Sequence, residues 1–422
     1  MVTRTYTITA GDFPQVAKGA VDMINFDPRL KHGVFFDIET TGFSASKNAL
    51  YLIGCCRYDN GSWVLTQWMA EDESAQQQRL VLEHFLKEID GTPTLITYNG
   101  QTFDLPFIEK KCAALEMPVD FSRWEHWDLY KDVRSFGKLL GLDNLKLKTV
   151  ERFLGIFRED TYSGGALIPI YKNYAKNHSQ ELEELLLLHN YEDIKDMLFI
   201  LPILAYRQIA DSSWTFSEAA VTPTDAGETT SSSYTFIAGT DQKVIGAVAL
   251  TVSFAQPLPT APKALTFDLP LKPQKGGAVQ KTQGGAPAID GDSLSTVDAF
   301  RVKLSFTTRT MTLLLPLAAD ELRYFYDNYK DYYYLPEEDC AVHKSVAAYV
   351  DKAYRKRATA QNCYTKKAGR FLPQPEQIFS PAFKYQYDHK LSWFEYTDTV
   401  FTNETVRKYI QCFLRFLNLG SF

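Results

Sequence analysis

Residues Val34 to Glu39 read VFFDIE, a short apolar run with the composition of a buried β-strand that nevertheless carries two carboxylates. Strand side chains alternate between faces, so Asp37 and Glu39 point to the same side of whatever sheet this segment joins. Two ionised carboxylates on a buried strand are costly unless a cation or an ion-pair partner compensates them. The segment therefore demands a sheet with one face devoted to charge. Thr40, Thr41 and Gly42 follow and end the strand. A salt-bridged strand end is the plain alternative, because the D-x-E spacing alone is common.

The surrounding pattern places that strand in an α/β fold. Val34–Glu39, Leu50–Arg57 and Ser62–Met69 read as strands, and the short polar breaks between them predict antiparallel neighbours. A helix over Glu73–Ile89, a strand at Thr94–Tyr98 and a helix at Leu105–Leu115 follow. Next come a strand near Trp127–Tyr130, helices at Val133–Leu140 and Leu145–Leu154, and a long helical stretch over Ser179–Ile209. This order predicts a mixed sheet flanked by helices over residues 1–212. The Ser- and Thr-rich segment Ser217–Ser233 suggests a linker or mobile loop over 213–233, and 234–422 then forms a C-terminal α+β domain rich in strands. Thr235–Phe254 and Phe300–Leu317 are strand candidates there. Between them the Gly- and Lys-rich Lys272–Ser293 lacks the spacing G-x-x-x-x-G-K-[ST] and reads as a hairpin tip.

Charge narrows the function. Residues 1–212 hold 22 Lys+Arg and 30 Asp+Glu, net −8, and residues 213–422 hold 23 and 21, net +2. If the acidic half handles a phosphate backbone, bound cations or a basic surface elsewhere must offset the repulsion. Six cysteines form no C-x-x-C pair and have no histidine at zinc-ligand spacing, so all six are expected as free, mostly buried thiols. The longest apolar run, Met197–Tyr206, is about half a membrane span, and the first residues lack the layout of a signal peptide. A cytoplasmic protein that does not enter membranes is expected.

Two further carboxylates stand out. Asp104 lies in ITYNGQTFDLPFI, where a strand runs through a polar loop into a helix. Read locally it is an N-cap. Asp193 lies in HNYEDIKDM, four residues after His189, and that spacing stacks the two on one helix face while Tyr191 points elsewhere. Read locally they are a solvated pair.

Taken in order, DIETTG, YNGQTFDLP and HNYEDI resemble motifs I, II and III of the DEDD (DnaQ-like) exonucleases of the ribonuclease-H-like superfamily. The segments WEHWDLYKDVR, LKLKTVERFLGIFRED and YSGG are similar to its YprB-type branch. The resemblance covers roughly Gly33 to Arg207, about half of the chain. It implies that Asp37, Glu39, Asp104 and Asp193 hold two divalent cations, Mg²⁺ or Mn²⁺ and not zinc, about 3.5–4 Å apart for in-line phosphodiester cleavage. It also implies that His189 orients or deprotonates the attacking water, with release of nucleoside monophosphates. One departure stands: the family places a His five positions, or a Tyr four positions, before the last Asp, and here a His occupies the Tyr spacing. Asp196 is an alternative ligand ranked behind Asp193. Asp128 and Arg158 match further segments of the branch, the first as structural support and the second as a phosphate contact.

The C-terminal half offers no catalytic arrangement. His343–Arg370 holds eight basic residues (Lys344, Lys352, Arg355, Lys356, Arg357, Lys366, Lys367, Arg370) against one acid, with Tyr354 and Tyr364 interleaved. Basic side chains neutralise phosphates and aromatic faces stack on unpaired bases, so this stretch is a candidate surface for single-stranded DNA or RNA. The alternative is an amphipathic helix with Val346, Val350 and Tyr354 as its core stripe. The six tyrosines of Tyr324–Pro336 read as packing residues. The leading expectation is a metal-dependent 3′ to 5′ exonuclease on single strands. Its rival is a catalytically inactive module of the same fold that binds nucleic acid or protein.

Overall fold

The computed structural model describes residues 1–23, 27–223, 244–270 and 299–419. It divides into two compact units, Met1–Arg207 and Gln208–Phe422.

The first unit runs β1 (Val2–Ile8), α1 (Lys18–Met23), α2 (Pro28–His32), β2 (Val34–Thr40), β3 (Leu50–Asp59), β4 (Ser62–Met69), α3 (Ala75–Ile89), β5 (Thr94–Thr97), α4 (Asp104–Ala114), β6 (Glu125–Asp128), α5 (Leu129–Leu140), α6 (Leu147–Leu154), α7 (Gly164–Asn177) and α8 (Gln180–Phe199). Its six-stranded sheet has the order β1-β4-β3-β2-β5-β6. β2, β3 and β4 are antiparallel neighbours, whereas β5 and β6 run parallel to β2. The fold is α/β, with a mixed sheet flanked by helices.

Alternation along β2 separates two layers. Val34, Phe36 and Ile38 join the large apolar core with Val81, Leu82 and Phe85 of α3, and the rings of Phe36 and Phe85 lie 5.2 Å apart. The opposite face carries Asp37 and Glu39 and is covered by α8. β1 carries the alternating VTRTYTI along the sheet edge, a signal the sequence reading passed over. α7 also went unread, since Gly164, Gly165 and Pro169 look like breakers, yet Leu167, Tyr171 and Tyr174 bury one face of it. The expected helix to Ile209 stops earlier: Pro202 cannot donate to a helical ladder, and Leu201–Tyr206 tightens into a 3₁₀ turn. No helix among the described residues is long and apolar enough to cross a membrane.

The second unit begins within α9 (Arg207–Ala210) and continues through β7 (Trp214–Pro223), β8 (Val244–Phe254), β9 (Leu265–Pro270), β10 (Ala299–Phe306), β11 (Thr310–Phe325), β12 (Tyr332–Leu335), β13 (Cys340–His343), α10 (Lys344–Ala347), β14 (Lys356–Arg357), β15 (Tyr364–Gln374), β16 (Ser392–Glu395) and α11 (Asn403–Phe416). It is rich in strands. β11 is the spine, paired with β8, β10 and β15. The linker expected over 213–233 is corrected by β7, which pairs with β8 from Trp214↔Phe254 to Pro223↔Gly246. Its side chains from Glu218 to Thr222 are exposed and mostly small, which suits a strand whose ladder is made by backbone groups. The rest of that linker and the expected hairpin tip Lys272–Ser293 lie outside the described residues. All six cysteines are free thiols, five of them buried and Cys340 half-buried.

Candidate active site

Asp37 pairs across the sheet with Gly54 on β3. The glycine lets α8 approach: a Cβ there would lie 2.2 Å from both Asn190 Oδ1 and Ile194 Cδ1. Asn190 fills this contact with a polar chain. Gln67 Nε2 donates to Asn190 Oδ1 at 2.8 Å and to the Leu187 carbonyl at 2.9 Å. Asn190 Nδ2 in turn donates to Asp37 Oδ2 at 3.0 Å.

Asp104 is not the N-cap that the local pattern suggests. Phe103 holds the cap position, and Asp104 is the first residue of α4, buried, with Oδ1 accepting from the Ile38 backbone at 3.3 Å. The loop before it is fixed by Asp128, whose Oδ1 accepts from Asn99 N at 2.6 Å and from Tyr130 N at the start of α5 at 3.1 Å. This bond holds the end of β5 against β6, so the Asp104 carboxyl is directed at β2.

α8 supplies the third group. His189 Nε2 stands 3.5 Å from Glu39 Oε1 and 3.4 Å from Asp193 Oδ2. Glu39, His189 and Asp193 each offer a ligand atom within 4.8 Å of the others. They are not a solvated pair: His189 is 4% exposed. Its Nδ1 lies 2.6 Å from Asp160 Oδ2. Tyr191 turns away to pack on Tyr6. The phosphate contact expected of Arg158 is corrected as well. Its buried guanidinium bonds Glu151 and Asp193 and lies 3.2 Å from Asp196, so its donors are committed to carboxylates. Asp196 pairs with Arg158 and, at 3.8 Å, with Lys195.

Burial dominates the electrostatics. It pushes the Asp37 carboxyl well above the usual carboxylate range, and the charges of Asp104, Asp193 and Glu39 push the same way. Glu39 is raised well above its ordinary value by burial, then by Asp193, Asp104 and Asp160, with Lys148 offsetting part. Burial pushes Asp104 up to about 7. Asp160 moves the other way: burial opposes its charge, but the Lys148 ammonium and the Tyr162 backbone hold its carboxyl below the ordinary value. Four carboxylates from β2, α4 and α8, with Glu39 and Asp104 buried and Asp37 and Asp193 partly so, thus repel one another at a cost that an opposing dication would relieve.

Residues 34–204 match the family model RNase_H_2 of the RNase_H superfamily. The mixed sheet and helices of the first unit have the ribonuclease H-like fold. Among solved structures, the family B DNA polymerase from the hyperthermophilic archaeon Pyrobaculum calidifontis is similar at 15% identity over 56% of this chain and 34% of its own, with a TM-score of 0.32. The zinc-bound complex of Escherichia coli exonuclease I with single-stranded DNA is similar at 11% identity over 53% and 55%, with a TM-score of 0.25. The chain spans about a third and about half the length of these two structures. No curated protein matches it.

Within the ribonuclease H-like domain, sequence reasoning missed Asn190, Gly54, Lys148, Glu151 and Asp160. Asn190 stands beside His189 in the motif, and Asp160 ends the FRED segment, so both were adjacent to a signal. Nothing local marks Gly54, whose role is set by a helix 130 and more residues later.

Outside that domain, the basic stretch is not the amphipathic helix considered above. α10 is four residues long, and Val346 and Tyr354 are each 57% exposed. Lys352, Lys356 and Arg357 are exposed, and Arg355 lies over the Tyr333 ring at 4.9 Å. Lys366 and Lys367 are committed to Asp339 and Glu395, each at 2.6 Å. The tyrosines pack: Tyr326, Tyr329, Tyr332 and Tyr334 surround a small core of Ala341, Ala358 and Cys363.

Proposed function

We propose that the ribonuclease H-like domain is a DEDD-type nuclease that hydrolyses phosphodiester bonds with divalent cations, as a 3′ to 5′ exonuclease on single-stranded DNA or RNA. The observation that carries this reading is the mutual repulsion of Asp37, Glu39, Asp104 and Asp193, which together with burial holds Asp37 and Glu39 well above the usual carboxylate range. Such a set is all hard oxygen and fits Mg²⁺ or Mn²⁺. The four carboxylates would hold the ions. The chemistry such ions supply is Lewis acidity toward phosphoryl oxygen and a lowered pKa for water.

The chain's own residues do the rest. Asn190 holds the Asp37 carboxylate, Arg158 holds that of Asp193, and the Ile38 N–H holds that of Asp104. His189 Nε2 faces Glu39 and Asp193 and is the group placed to take a proton from water. In the second unit, the exposed Lys352, Lys356 and Arg357 beside the exposed rings of Tyr349 and Tyr354 support contact with a single strand.

The test is degradation of 5′-labelled single-stranded DNA and RNA with Mg²⁺, Mn²⁺ or chelator, wild type beside Asp193→Ala and Asp37→Asn. A metal-dependent ladder of shortened products, lost in both variants, is expected, together with an intact circular substrate. Cutting of the circle would replace the exonuclease with an endonuclease. No cleavage of any strand despite measurable binding would overturn the nuclease and favour a binding module.

A further inference from the structure

The charged network continues past His189. Asp160 Oδ2, 2.6 Å from His189 Nδ1, also accepts from Lys148 Nζ at 2.9 Å, and Asp160 Oδ1 accepts from Tyr162 N at 2.9 Å. Held at both oxygens, the carboxylate cannot turn away from the ring. The backbone beneath it is fixed by α8 itself. Glu192, three residues after His189, accepts from Glu159 N at 3.1 Å and from Asp160 N at 2.8 Å. The helix thus grips a loop, and the loop returns a carboxylate to the helix's own histidine. Both partners are sealed from water, with side chains 5% and 2% exposed.

A carboxylate acts as an acceptor, so the ring nitrogen facing Asp160 carries a proton. We infer that Asp160 is a positioning residue: it binds the Nδ1–H and fixes the orientation of the His189 ring, so that Nε2 is the nitrogen presented to Glu39 and Asp193. The consequence for catalysis rests on the proposed hydrolysis. The bond between the two side chains does not.

Proton NMR of the full chain tests the bond directly, since a ring N–H held by a buried carboxylate exchanges slowly and resonates far downfield. One such resonance is expected with or without Mg²⁺, absent in His189→Gln and in Asp160→Ala. In Asp160→Asn, which keeps the volume and an oxygen for the Tyr162 N–H, it moves upfield. The Asn variant decides the matter should the Ala variant not fold. A wild-type spectrum without a His189-dependent signal, or one unchanged by either substitution, overturns the inference. With labelled single-stranded DNA, Asp160→Asn should lower kcat by about ten- to a hundredfold with KM within about twofold. Added to His189→Gln it should cost nothing more, and an additive loss would show that Asp160 does not act through the histidine. If the wild type cleaves nothing, the nuclease reading falls while the resonance still decides the role of Asp160.

Discussion

Asn190 Nδ2 lies 3.0 Å from Asp37 Oδ2, so the helix bearing His189 and Asp193 is tied by its own side chain to the first carboxylate of β2. The amide is completely buried, and its oxygen is used by Gln67. Asn190→Ala should cost about 1–3 kcal/mol, because Gln67 and Asp37 each lose a partner in a dry site. Urea unfolding with chelator present measures it, and a midpoint equal to that of wild type would refute the structural role.

Gly54 sets how closely that helix approaches. Gly54→Ala places a methyl group where Asn190 Oδ1 and Ile194 Cδ1 already lie, so α8 must move outward, at about 1–3 kcal/mol. Since α8 carries His189 and Asp193, activity should fall further than stability does. The measurement is kcat at a temperature where circular dichroism shows the variant fully folded.

Arg158 serves carboxylates. Arg158→Gln leaves Glu151 buried without its guanidinium and Asp196 with only Lys195 at 3.8 Å, and should destabilise by about 3–5 kcal/mol. Arg158→Lys keeps a charge but cannot bridge three carboxylates, and falls between. In the Lys variant the salt dependence of nucleic-acid binding should match that of wild type. A slope reduced by about one would restore the phosphate contact.

Acid carboxyls predict an inverted pH profile without metal. Asp104 is ordinarily near 3.8 and is pushed up to about 7 by burial, and Asp37 and Glu39 are raised in the same direction. Between those values the folded chain binds more protons than the unfolded one, so stability falls as pH rises from about 4 through about 7. In chelator, Tm should therefore be higher at pH 5 than at pH 8. Asp104→Asn should flatten the profile, and saturating Mg²⁺ should raise Tm most at pH 8. A metal-free Tm that does not change across this range would count against the shared buried charge.

Pairing separates the basic residues. Changing the exposed Lys352, Lys356 and Arg357 to Ala should weaken single-strand binding and flatten its salt dependence. Lys366→Ala with Lys367→Ala should do much less, because those ammonium groups already face Asp339 and Glu395. Filter binding at several salt concentrations compares the two sets, and equal losses would contradict the assignment.

The sequence by itself determined the strand that carries Asp37 and Glu39, the helical spacing of His189 and Asp193, and the antiparallel run of β2, β3 and β4. These are local facts: strand and helix periods decide which side chains share a face, and a buried carboxylate pair in VFFDIE is visible as a conflict within six residues. What only the tertiary structure decided depends on contacts between distant segments. Asp104 reads as a helix cap until β2 lies beside it, and Arg158 reads as a free cation until α6 and α8 close around it. β7 (WTFSEAAVTP) runs into the Ser- and Thr-rich stretch that read as a linker, and only its backbone pairing with β8 makes it a strand. Asp160 gains its role from a bond across 29 residues. Periodicity carries no information about which loop returns to which helix, because packing sets that only when the sheet and its helices have assembled.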